Sequence, residues 1–119
     1  MQDFRRLQVW ARAHALGLEI YQETFRWPRG HGALASQTRR AAMSIAANIT
    51  EGCGQDGATE FARYLNVSLA TAAEADHHLQ CAADLALIDR RLHAGWRAEL
   101  MEIRRMLAVL RQRVLERRR

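Results

Sequence analysis

From residue 96 to residue 114 the large apolar side chains Trp96, Leu100, Ile103, Leu107, Leu110 and Val114 stand alternately four and three apart. An α-helix brings residues at that spacing to one side, and the alternation is that of a coiled-coil seam, which other helices must cover. One proline and seven glycines in 119 residues leave little to interrupt helices. Ala and Leu dominate the apolar fraction, so further long helices are expected, and an all-β fold is close to excluded. The length allows one hydrophobic core and a single domain over residues 1–119.

The same periodicity organises the rest of the chain. Leu7, Trp10, His14, Gly17, Tyr21 and Thr24 form one helical stripe, and Val9, Ala13, Leu16 and Ile20 form a second beside it. They predict a first helix over 4–26, capped by Asp3 and stopped by Pro28 and Gly30-His31-Gly32. A second helix is expected over 33–51, ended by Gly52, Gly54 and Gly57, which read as a left-handed stop and a flexible turn. Asp56 or Thr59 is placed to cap a third helix over 59–88, with Phe61, Leu65, Ser68, Ala72, Leu79 and Ala82 inward. Asp89 is a ready cap for a fourth over 90–116. Short connections force neighbouring helices to alternate direction, so the expected fold is all-α, an up-down-up-down antiparallel four-helix bundle. The double stripe of the first helix is wider than one bundle face requires, and self-association into a homo-oligomer is expected.

Charge narrows the partners. Eighteen arginines, with no lysine, stand against thirteen acidic residues, a net charge of +5. The isoelectric point near 10.5 makes acidic partners plausible. The apolar runs fall far short of the roughly 20 residues that span a bilayer. Cys53 and Cys81 match no metal or redox spacing, which fits a reduced, cytoplasmic protein.

Three motifs invite chemistry, and none has the context the chemistry needs. Gly52-Cys53-Gly54-Gln55-Asp56-Gly57 fits the dinucleotide string G-x-G-x-x-G but follows a helix instead of a strand. Glu74-Ala75-Asp76-His77 has the Glu-x-x-His spacing of di-iron bundles, yet no second copy occurs. Ser36, Ser44 and Ser68 lie within helical segments without a nucleophile elbow, and Cys53 has no identifiable base. No cofactor or metal is expected, and the role expected is non-enzymatic.

The second helix carries an ordered polar stripe, with Gln37, Arg40, Ser44, Asn48 and Glu51 spaced three, four, four and three. Uncharged amides and a hydroxyl bounded by Arg40 and Glu51 suit a structural hydrogen-bonded network against another helix or subunit. Arg39 points away from Gln37, toward solvent. Arginines also recur in adjacent groups: Arg5-Arg6, Arg39-Arg40, Arg90-Arg91, Arg104-Arg105 and Arg117-Arg118-Arg119. The candidate phosphate contacts are Arg39, Arg90, Arg91, Arg104 and Arg105. With few exposed aromatics expected, the chain has the means to grip phosphates but little with which to stack on bases.

The run Leu7-Gln8-Val9-Trp10, Ile20-Tyr21 with Thr24 and Trp27-Pro28, then Gln37-Thr38-Arg39-Arg40-Ala41-Ala42-Met43-Ser44-Ile45, Asn48-Ile49 and Glu51-Gly52, continues through Glu60-Phe61, Leu65, Glu74 and Leu79 to Arg105-Met106-Leu107. It resembles, over nearly the whole chain, the bacterial four-helix-bundle family encoded in intervening sequences of large-subunit ribosomal RNA genes, the S23 family. Accessory variability proteins of diversity-generating retroelements are similar in architecture and form basic homopentameric rings that bind nucleic acid. The resemblance implies a pentamer, RNA or DNA as ligand, a protein partner such as a reverse transcriptase, and structural roles for Arg40, Asn48, Glu51 and Glu74. The chain departs from the family pattern at Ala70-Thr71, where a Gly-Ser pair is common, and at Gln55, where a basic residue is common. Two functions follow as expectations: a nucleic-acid-binding bundle without strong sequence preference, or an oligomeric protein-interaction scaffold.

Overall fold

The Asp3 carboxylate accepts a hydrogen bond from the Arg5 amide at 3.1 Å, but what it caps is a single 3-10 turn, Phe4–Arg6. That is the first feature of the computed structural model, which describes residues 2–117. Leu7 is extended (φ −82°, ψ 121°), so the first α-helix starts later than its apolar pattern suggests. The four helices are α1 (Gln8–Thr24), α2 (Gly32–Cys53), α3 (Ala58–Asp84) and α4 (Arg90–Arg117), with a second 3-10 turn at Arg29–His31 after Pro28. Among the described residues there is no strand. Arg118 and Arg119 of the C-terminal arginine run lie outside the described residues.

Antiparallel neighbours close a four-helix bundle of 50 × 21 × 20 Å. α1 packs on α2 and α4, α3 packs on α2 and α4, and the α1–α4 seam is the loosest of the four. Val9, Ala13, Leu16 and Ile20 form the inward stripe of α1. The other stripe divides: Gly17 and Thr24 are buried against α2, while Tyr21 is exposed. The seam of α4 buries Trp96, Leu100, Ile103, Leu107 and Val114, and α3 contributes Leu65, Leu79 and a series of small residues. The buried Ser68 hydroxyl donates to the Ile45 carbonyl at 2.8 Å, tying α3 to α2.

Two glycines permit close approaches. A Cβ at Gly17 would stand 3.0 Å from the Ala42 carbonyl oxygen, and one at Gly52 would stand 2.9 Å from the Phe61 ring and 3.0 Å from Tyr64 Cβ. Gly52 therefore lies within α2 as a packing residue and does not act as a stop. No described glycine has positive φ, which corrects the reading of this segment as a left-handed turn. Nor does Asp56 or Thr59 cap α3: Gly57 occupies the N-cap position without a side-chain bond.

α3 ends at Asp84, four residues before its apolar pattern runs out. The Leu87 amide donates to the Ala82 carbonyl at 2.8 Å and the Ala86 amide to the Ala83 carbonyl at 3.0 Å, the two bonds of a Schellman cap. Its left-handed position is filled by Ala86 (φ 59°), a conformation that glycine adopts without steric cost. Ala86→Gly is expected to stabilise the protein by about 1 kcal/mol, seen as a rise of about 4–6 °C in thermal midpoint. The α4 start matches the sequence reading: Asp89 Oδ1 accepts from the Leu92 amide at 2.7 Å.

Candidate nucleic-acid interface

α4 carries a second seven-residue pattern beside its seam. Arg90, Arg97 and Arg104 are all exposed and recur at seven-residue intervals, with Ala94 and Met101 between them and Ala108 one turn beyond. The helical rise separates successive arginines by about 10.5 Å along one flank. None of the three forms an ion pair within 4.0 Å among the described residues. Met101 is 59% exposed on the same line, and Arg90, His93, Arg97 and Met101 border a shallow hollow of about 360 Å³. Arg111 continues the series but is half-buried, its Nε without a partner.

The carboxylates of α4 are engaged away from this ridge. Glu99 holds Arg12 of α1, which donates through Nε at 2.9 Å and through Nη2. That hydrogen bond holds the Arg12 guanidinium above its ordinary pKa. Glu102 accepts from both Nε and Nη2 of Arg105, and this contact holds its carboxyl below the ordinary range. Glu116 accepts from Gln112 at 3.3 Å. The first turn of α4 contains no acid and begins with Arg90-Arg91, so these cations sit at the helix end where the macrodipole disfavours positive charge.

The remaining arginines named from the sequence do not converge on the ridge. Arg91 lines a cleft of about 630 Å³ in the α1–α4 seam with Leu16, Asp89, Leu92 and Trp96. Arg105 is neutralised by Glu102. Arg39 is not the solvated charge expected of it: it is half-buried, its guanidinium lies 4.4 Å from the Phe25 ring centroid, and Nη1 donates to Thr24 Oγ1 at 2.9 Å. Arg97, central to the ridge, belongs to no adjacent arginine pair; the sequence signal that marks it is its seven-residue spacing from Arg90 and Arg104.

On α2, Asn48 Nδ2 donates to the Ser44 carbonyl at 2.9 Å and to Ser44 Oγ at 3.0 Å. Gln37, Arg40 and Glu51 are exposed and make no side-chain hydrogen bond to another helix among the described residues. Glu74 faces His78 at 3.3 Å on its own helix. Both cysteines are free, and burial pushes the Cys53 thiol pKa up. Among the described residues no three His, Cys, Asp or Glu side chains gather as a metal site, and no helix is long and apolar enough to cross a membrane.

Comparison with known proteins adds the lineage. A crystal structure of a protein of unknown function from the S23 ribosomal protein family of Bacteroides thetaiotaomicron superposes with a TM-score of 0.81. It shares 21% sequence identity, and the match covers 87% of this chain and 95% of that one, so the bundle is a shared fold. No curated protein matches the sequence significantly. The family described as 23S rRNA-intervening sequence protein matches residues 5–109, and the chain belongs to that family.

Proposed function

We propose that this protein binds the nucleic-acid backbone through the arginine ridge of α4, without strong sequence preference and without catalysis. The observation that carries the reading is the line of Arg90, Arg97 and Arg104, three exposed cations on one helix flank that form no ion pair among the described residues. Planar guanidinium groups suit bidentate contacts to phosphate, and the row offers no array of amide side chains with which to read base edges. The family's description links it to 23S rRNA, which makes RNA the first ligand to test.

Assembly would multiply the effect of a single ridge. Arg40 and Glu51 are exposed on α2, make no side-chain hydrogen bond or ion pair to another helix among the described residues, and suit a contact with a second copy; the resemblance to the pentameric accessory variability proteins favours five. Light scattering at physiological salt tests this part: a concentration-independent mass near 13.6 kDa would overturn it.

The binding test is a titration of labelled RNA and DNA across a salt series. With about six phosphates neutralised by an assembly, log K falls against log salt with a slope near −4 for single strands and −5 for duplex. Scrambled sequences bind equally well. Absence of binding at low salt would favour a protein-interaction scaffold, whereas salt-insensitive, sequence-selective binding would refute the backbone mechanism.

A further inference from the structure

On the opposite side of the bundle, Phe25 at the C-terminal end of α1 is 63% exposed, and Tyr21, one turn before it, is 42% exposed. Their rings meet edge to face with centroids 5.2 Å apart. Arg39 of α2 lies over Phe25 at 4.4 Å and over Tyr21 at 6.0 Å. The guanidinium is held from beneath by the buried Thr24, whose hydroxyl accepts from Arg39 at 2.9 Å and donates to the Tyr21 carbonyl at 2.7 Å. Arg39 has no carboxylate partner among the described residues. Other aromatic side chains of the chain cover one another: Trp10 stacks on His14 at 4.7 Å and leans on Phe4 at 4.9 Å.

We propose that Tyr21, Phe25 and Arg39 form a stacking site for one unpaired nucleobase of single-stranded RNA or DNA. The inference rests on the nucleic-acid reading above and adds a preference for single strands. Beside Arg39 and Tyr21, Phe25 still keeps 63% of its surface exposed, and that surface is where a flat base can lie. An aromatic ring backed by a fixed guanidinium is an arrangement that stacks bases irrespective of their identity. The neighbouring charge favours an anionic strand over a second copy of this basic chain. Arg26 follows Phe25 directly and Arg29 stands three residues further on, both exposed, and Glu23 pairs with Arg26 only at 4.0 Å. A duplex keeps its base faces occupied and gains nothing here.

The test compares a short labelled oligothymidine with an abasic oligomer of the same length, which offers the same phosphates without bases. The wild-type protein is expected to bind the oligothymidine about tenfold more tightly. Phe25→Ala should abolish that preference while leaving the salt slope and the thermal midpoint unchanged, and Phe25→Trp should keep it. Arg39→Lys, which retains the charge but loses the plane, should weaken it. Equal binding of both oligomers by the wild type would overturn the stacking site and leave the phosphate-binding ridge intact. A fall in native mass on Phe25→Ala would also overturn it, by assigning the patch to a contact between copies. Binding of neither oligomer would reject the nucleic-acid reading and the stacking site together.

Discussion

Replacing Arg90, Arg97 and Arg104 together by glutamine is expected to lower RNA affinity by on the order of a hundredfold at low salt and to make the salt dependence shallower. Each phosphate contact releases part of a condensed counterion, so three lost contacts reduce the slope by about two for a single strand and about three for a duplex. The fold should survive, because all three side chains are exposed and none is ion-paired among the described residues. Removing Arg90 from the first turn of α4 also relieves an unfavourable interaction with the helix dipole, so the thermal midpoint should stay level or rise slightly. Arg105→Gln is the matched control. Its guanidinium is held by Glu102, and the substitution should alter the slope by much less than the loss of any ridge arginine. An unchanged slope in the triple variant would remove the ridge from the binding surface.

The readability of this chain follows the length of its patterns. The α4 seam spans five turns, and no alternative structure places Trp96, Leu100, Ile103, Leu107 and Val114 on one side. Asp89 and Pro28 act locally, and both bound helices as their chemistry requires. Sequence and structure part where one residue type serves two physical purposes. Gly52 reads as a stop, but its missing Cβ makes room for Phe61 and Tyr64. The true left-handed cap after α3 is an alanine, so no local signal marks the end of that helix. Tyr21 fits an apolar stripe by spacing, yet it lies outside the core because Val9, Ala13, Leu16 and Ile20 already fill the inward face of α1. Arg39 illustrates the limit of helical phase. Its direction on α2 is legible, but that this direction meets Phe25 depends on how closely α1 and α2 approach, which the small residues Gly17 and Ala42 decide.

Leu107→Ala is expected to cost about 2–5 kcal/mol, a large part of the stability of a domain this size. Leu107 is 0% exposed in the middle of the α4 seam, where neighbouring helices on both sides limit how far the structure can relax into the space left behind. The urea midpoint should fall while the dependence on urea concentration keeps its slope, and the thermal midpoint should drop by about 10–20 °C. Leu107 lies three residues after Arg104, about 60° around the helix, but its side chain is buried in the seam while Arg104 is exposed, so the substitution separates the packing of α4 from its exposed charge. At temperatures where the variant remains folded, its RNA affinity and salt slope should match those of the wild type, because no phosphate-facing charge has changed. The arginine variant should show the reverse, with binding lost and stability kept. If Leu107→Ala weakened binding in the folded state as much as the loss of the ridge does, binding would depend on the packing of α4 within the bundle or on assembly, and the ridge could not act as an independent phosphate-binding surface.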